Sequence, residues 1–445
     1  MTIPGSSIGV PADGDAPLDT RPATAVPLDQ RTRVRAAFAG SAGNLIEWFD
    51  FYAYAYTALY FASSFFPSGD RTAQLLNVAA IYAAGFLIRP LGGWYFGRYA
   101  DRRGRRAAMI ASVLLMGAGS LVVAVLPVYA QIGAAAPALL LVARLMQGFS
   151  SGGQYGAAAT YLSEIAQPGR RGFFASFQFV TLIGGQLSAL LVLGLLQATI
   201  GEAELRAWGW RIPFFLGAAL AAAILLMRGM MHETVEPAKG GEDAGTLRAL
   251  AKHPRALFTV MALSAGGALS LYSFTTYMQK YLVNTAGLAV PSVSTIMIAA
   301  TIVFLLLQPA IGSLSDRIGR RTCLLIFSGG MTLAAVPLLS GLARVEGPGM
   351  AFMLVVAALT ILSFYTSVSG LFKAELFPAS VRALGVGLGH AIASAIFGGT
   401  AEFIALSLKQ AGHEDLFGWY VAAVCAVSFL TALSMREPRR AGHMN

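Results

Sequence analysis

Apolar runs of about twenty residues follow one another along nearly the whole chain, each bounded by a short polar or charged break. A run of that length, wound as a helix, crosses a hydrocarbon layer roughly 30 Å thick, and a helix satisfies its own backbone hydrogen bonds where water is absent. The pattern predicts twelve spans, at 37–65, 73–97, 107–127, 137–163, 172–198, 208–228, 256–283, 291–312, 322–342, 349–372, 381–408 and 416–435. Two polar segments interrupt the series. The first 35 residues lack an apolar signal core and read as a tail, and 231–255 reads as a linker able to hold a short surface helix.

The linker divides a repeat. "GRYADRRGRR" after the second span returns as "GSLSDRIGRR" after the eighth, and Glu164 and Arg171 after the fourth span match Glu375 and Arg382 after the tenth at nearly the same offset. The expected architecture is therefore all-α, with two pseudo-symmetric six-helix bundles at 36–230 and 256–435 and a short tail at 436–445. Paired halves with a site between them near the midplane are the plan of alternating-access transporters.

Composition agrees with this pattern: 56% of the 445 residues are hydrophobic, 12% are charged, and mean hydropathy is +0.64. The net charge of +10 does not point to nucleic acid, because most of the 32 Lys and Arg fall on one side of the predicted spans. That bias places both termini in the cytoplasm. Cys323 and Cys425 lie within apolar spans, which supports neither a disulfide framework nor a metal site. The five histidines show no catalytic or metal-ligand spacing, so a membrane hydrolase is disfavoured, and the short tails leave little room for a sensor's signalling module. No cofactor or metal is expected.

Ionisable residues inside the apolar runs carry the chemistry. Glu47, Asp50, Arg89, Arg144, Lys280 and Glu402 would each cost roughly 2.5 to 3.5 kcal/mol if they faced lipid at mid-depth. They must therefore face one another or a wet cavity, although Lys280 and Glu402 lie towards the outer ends of their spans, where side chains can snorkel. Helical phase puts Glu47, Asp50 and Tyr54 on one stripe of the first span, Tyr82 and Arg89 on one of the second, Arg144 and Tyr155 on one of the fourth, and Thr276 and Lys280 on one of the seventh. Gln178 adds an uncharged donor from the fifth. Three converging cations suit an anion, and a substrate with two carboxylates would bridge the halves. Glu47, Asp50 and Glu402 are then candidates for proton coupling, with Glu47 and Asp50 equally readable as fixed counter-ions of the arginines.

The doubled G-x-x-x-D-R-x-G-R-R resembles the signature of the major facilitator superfamily. Asp101, Arg102, Arg105, Glu164, Arg171, Asp316, Arg317, Arg320, Glu375 and Arg382 are candidate gating residues, with the aspartates able to accept from helix N-terminal N–H groups or to pair with nearby arginines. The blocks "GNLIEWFDFY", "GFLIRPLGGWYFGRYADRRGRR", "FTTYMQKYLVNTAG", "KAELFPASVRALGVGL" and "IFGGTAEFIALSLK" are similar to the metabolite:proton symporter family within it, over about residues 36–435. That resemblance implies a bacterial inner-membrane porter importing α-ketoglutarate or a close dicarboxylate with protons, and it covers Glu47, Asp50, Arg89, Asp101, Arg144, Lys280, Asp316 and Glu402; a monomer is expected. Other organic acids, or a zwitterion such as proline or betaine, are the alternative cargo. One position departs: Gln154 stands where the family generally has glutamate, and an amide either removes a proton site or keeps a structural hydrogen bond.

Overall fold

The computed structural model describes residues 30–438 except 104, 153, 165, 167–168 and 230–245; the side chains of 30–43, 97–98, 100–109, 154, 157–158, 161, 164 and 224–229 are also outside the description. Among the described residues twelve rods cross the molecule: α1 (Gln30–Phe65), α2 (Arg71–Leu87, continuing as Arg89–Arg103), α3 (Arg105–Val125), α4 (Ala135–Ser151, continuing as Gln154–Glu164), α5 (Arg171–Thr199) and α6 (Ile212–Gly229) in one half. The other half holds α7 (Pro254–Asn284), α8 (Val290–Ile318), α9 (Arg320–Leu342), α10 (Pro348–Glu375), α11 (Arg382–Gln410) and α12 (Leu416–Ser434). Eight of the rods among the described residues meet both the length and the hydropathy of a membrane span. Part of the interhalf stretch is a single helical turn, Leu247–Leu250, capped by the Thr246 hydroxyl on the Ala249 N–H at 3.2 Å.

Packing makes the pseudo-symmetry explicit. α1 lies along α5, α2 along α4 and α3 along α6; adding six to each number gives α7 with α11, α8 with α10 and α9 with α12, which are also packed pairs. The halves meet where α5 runs beside α8 and where α2 runs beside α11, two contacts that the same operation exchanges. Below, the inner end is that of Asp316 and the outer end that of Gln197.

Among the described residues five rods that hydropathy presents as continuous are broken; α10 pauses at Ser367–Val368, between Pro348–Thr366 and Ser369–Glu375, and the other four have a local cause each. Pro90 cannot donate a backbone hydrogen bond, so α2 yields at Ile88 and Arg89 opens the next segment. α4 interrupts after Ser151 at Gly152. In α7 and α11 the ladder widens to π turns at Ser273–Tyr277 and Ser394–Gly398, a feature common at functional sites. Each π turn precedes a charged residue, Lys280 and Glu402 respectively.

Candidate functional site

Arg89 and Arg144 come together between α1, α2 and α4, held by aromatic rings rather than by direct ion pairs. The Arg89 guanidinium carbon lies 3.8 Å from the Phe86 ring centre, 4.1 Å from that of Phe51 and 5.1 Å from that of Trp48. That of Arg144, whose residue is 0% exposed, lies 4.3 Å from Tyr54 and 4.6 Å from the same Phe51. Phe51 thus serves both cations, and such contacts are worth about 2 kcal/mol when desolvated. Trp48 is fixed by its indole N–H on Asn44 Oδ1 at 3.0 Å, and Asn44 in turn donates to Thr181 at 3.1 Å.

Each guanidinium keeps one edge open. Nε and Nη2 of both Arg89 and Arg144 are buried without an acceptor. These two atoms form the side-on fork of a guanidinium, which matches the two oxygens of a carboxylate. Arg144 uses Nη1 on Gln147 Oε1 at 2.7 Å, and the Gln147 amide passes the link on to Asp50, which also accepts from Ser120. Asp50 is therefore joined to Arg144 through a neutral relay. Glu47 is buried with one oxygen unpartnered, as are the hydroxyls of Tyr82 and Thr276 and the amide oxygen of Gln178.

Lys280 does not snorkel, and neither does Glu402: both are buried and bonded to each other at 2.6 Å. The widened ladder before each residue changes the phase assumed for α7 and α11, so Lys280 is engaged on Glu402 instead of standing open beside the arginines. The pair remains close to them, since Gly399, three residues before Glu402, packs against Phe86, the ring nearest Arg89. Tyr54 donates to the Val78 carbonyl at 3.2 Å. Tyr155 lies elsewhere, at the inner junction of the halves, bonded to Lys373 at 2.9 Å and to Ser369 at 3.1 Å. Gln178 donates to the Tyr155 carbonyl at 3.4 Å.

At the inner end Asp316 accepts from the first-turn N–H groups of α5, Gly172 at 2.8 Å and Phe173 at 3.1 Å, and pairs with Arg320 at 3.0 Å. An anion on a helix N-terminus is favourable, and here the helix belongs to the other half. Arg320 is also 3.7 Å from Glu375, and Arg382 donates to the carbonyls of Ala374 and Phe377. Arg171 has a buried Nε without a partner, and Arg317 is exposed. The side chains of Asp101, Arg102, Arg105, Gln154 and Glu164 lie outside the described residues. At the outer end Gln197 bonds Tyr60 at 2.6 Å and Ser294 at 3.0 Å, so the halves touch at both ends and the arginines are enclosed. Two cavities, of about 190 and 220 Å³, lie near the outer end: Arg344 and Glu414 line one, Arg71 and Arg206 the other, and neither reaches the arginine cluster.

The inner contact makes a prediction. Asp316→Ala removes two backbone acceptor contacts and an ion pair, so initial uptake should fall about tenfold or more. Rates normalised to membrane-resident protein check it; an unchanged rate would remove Asp316 from the gate.

Sequence reasoning missed several participants. Gln147 and Ser120 are neutral and resemble packing residues, and Lys373, near a helix end, reads as one more topology-setting cation. Glu437, which accepts from the Arg320 and Arg321 N–H groups at 2.9 and 3.0 Å, lies beyond the last apolar run and carries no motif.

Two packed six-helix halves enclosing buried cations define a secondary transporter of the major facilitator type, and residues 41–401 match the Major Facilitator Superfamily. The chain belongs to that superfamily; it is a multi-pass membrane transporter and not an enzyme. It is 56% identical to the alpha-ketoglutarate permease of Escherichia coli (strain K12) over 410 residues, 92% of this chain and 95% of that one. It is 34% identical to the citrate-proton symporter of Salmonella typhi, covering 90% of this chain and 93% of that one. The crystal structure of D-xylose-proton symporter shares the fold, with a TM-score of 0.73 at 16% identity over 91% of this chain and 98% of that one.

Proposed function

We propose that this protein imports α-ketoglutarate, or a dicarboxylate of closely similar length, together with protons across the bacterial inner membrane. The open side-on forks of Arg89 and Arg144 carry the reading: two enclosed, desolvated cations each lack a bidentate partner, and a dicarboxylate supplies two. The similarity to the permease and to the citrate-proton symporter supports the same cargo class. A zwitterion would bring one carboxylate for two forks, and its cationic end would meet aromatic faces that the arginines already occupy.

Coupling in this scheme uses the buried carboxylates. A proton on Glu402 weakens its hold on Lys280 and frees the ammonium for the anion, so that proton and substrate favour each other's binding. Glu47, with one oxygen unpartnered, and Asp50, joined to Arg144 through Gln147, are the further proton candidates. We assign 36–230 and 256–435 as the moving halves, 231–255 as the cytoplasmic linker, both termini to the cytoplasm and the single chain as the working unit. Asp101, Arg102, Arg105, Glu164, Arg171, Arg317, Arg320, Glu375 and Arg382 join Asp316 in the cytoplasmic gate.

Uptake of labelled α-ketoglutarate into proteoliposomes under an inward proton gradient tests the reading. Accumulation should collapse on adding protonophore and should be competed by succinate more than by proline or betaine. Equilibration without accumulation would replace symport by facilitated diffusion and make Gln154→Glu the next variant. Competition by betaine or proline alone would replace the cargo.

A further inference from the structure

Of the buried cations, Lys373 is the one whose surroundings the transport scheme leaves unexplained. It is 0% exposed, and its ammonium donates to Tyr155 at 2.9 Å, to Ser369 at 2.9 Å and meets His390 Nδ1 at 3.1 Å. All three partners are neutral acceptors, provided that His390 keeps Nδ1 unprotonated. Among the described residues no carboxylate lies within ion-pair distance, whereas Lys280 has Glu402 at 2.6 Å. Aromatic rings supply part of the compensation, with Tyr155 4.9 Å and Tyr365 5.6 Å from the ammonium. A buried lysine without a counter-anion is costly to charge, and an arriving carboxylate is a natural means of stabilising its ammonium form.

Position supports that use. Tyr155 belongs to α4 in the first half, while Ser369, Lys373 and His390 belong to α10 and α11 in the second. The Tyr155 ring stacks on His390 with centres 3.7 Å apart, closing the inner seam. The cluster is linked to the arginine site, since Gln178 donates to the Tyr155 carbonyl while its own carbonyl accepts from Asn44, the residue that fixes Trp48 beside Arg89. When the halves part at the inner end, Tyr155 leaves with α4, and Lys373 gains an open donor facing the widening path.

Resting on the reading above, we propose that Lys373 is a second carboxylate-binding subsite at the inner end, which receives the departing anion as the protein opens to the cytoplasm. A lysine that only latched the halves would behave differently. Removing a latch enlarges the inward-open population, which tightens apparent affinity on the cytoplasmic face and weakens it on the outer face. Removing a subsite weakens the cytoplasmic face itself. The two roles move cytoplasmic half-saturation in opposite directions.

The test compares exchange of labelled α-ketoglutarate in inverted and right-side-out membrane vesicles carrying the full-length wild type, Lys373→Met, Lys373→Gln or Lys373→Arg. Methionine and glutamine should raise half-saturation on the cytoplasmic face about tenfold or more, with the outer face little changed, and arginine should restore it. An unchanged or lowered cytoplasmic half-saturation overturns the subsite, as does an equal rise on both faces. If the wild type carries a different organic anion, the cargo assignment falls while the same comparison is run with that anion; if it carries none, both fall together.

Discussion

Arg144→Ala and Arg89→Ala each abolish measurable uptake while the protein remains in the membrane at wild-type abundance. The expected size follows from what the fork contributes. Two charge-assisted hydrogen bonds to a carboxylate are worth about 3 to 6 kcal/mol, or roughly a 150- to 25,000-fold loss of affinity when one arginine is removed. Lysine in either place keeps the charge and loses the planar pair of donors, so Arg144→Lys should recover only part of the loss. Arg206→Ala is the contrasting control, remote from the arginine cluster: that side chain pairs with Glu202 at 2.6 Å, both being about half-exposed, and donates to the Leu59 carbonyl at 3.2 Å, and such surface pairs contribute about 0 to 1 kcal/mol. Uptake of labelled α-ketoglutarate, normalised to immunodetected protein in the membrane, separates these outcomes. Wild-type-like transport by a well-expressed Arg89 or Arg144 variant would remove that residue from the site.

Both arginines were legible because an ionisable residue in a twenty-residue apolar run is conspicuous, and because lipid gives it no place to hide. Helix number and pseudo-symmetry were legible for the same reason: length, hydropathy and a doubled motif are all linear properties. What the chain conceals is the departure from ideal helix geometry. A π turn adds one residue to a hydrogen-bonded ring, so nothing in "SFTTY" or "SAIFG" announces that the phase of Lys280 or Glu402 has shifted. A regular 100° wheel therefore groups Lys280 with the cations, when its nearest charged partner is an anion on another rod. The same limit applies to Gln147. Its amide bridges Arg144 and Asp50 across two helices, and only the fold brings positions 50, 120 and 147 to one point. Lys373 shows a third kind of concealment, because its meaning depends on the absence of a carboxylate among its described neighbours, which no linear pattern records.

Gly148→Ala and Gly152→Ala should be nearly as damaging as loss of an arginine, although neither removes a charge. A methyl carbon at Gly148 would sit 1.8 Å from the Gly85 carbonyl oxygen, and one at Gly152 would sit 2.0 Å from the carbonyl oxygen of Arg89 itself. Backbone atoms cannot rotate aside as a side chain can, so α2 and α4 must part by more than about 1 Å to reach ordinary contact distance. α2 carries Arg89 and α4 carries Arg144. Parting them moves the two forks relative to each other and strips Arg89 and Arg144 of the Phe51 ring they share. Overpacking of this kind commonly costs about 1 to 3 kcal/mol in stability, and the unrelieved backbone clash places these two sites at or above the upper end. Uptake should therefore fall about 100-fold, with a lowered thermal midpoint for the purified variants, because a displacement near 1 Å is enough to spoil a bidentate geometry. Gly349→Ala, where a methyl would meet nothing within 4 Å, should change neither quantity. Normal uptake and stability for Gly148→Ala would mean that the working protein holds α2 and α4 further apart than they stand here, and that the arginine spacing is set by another contact.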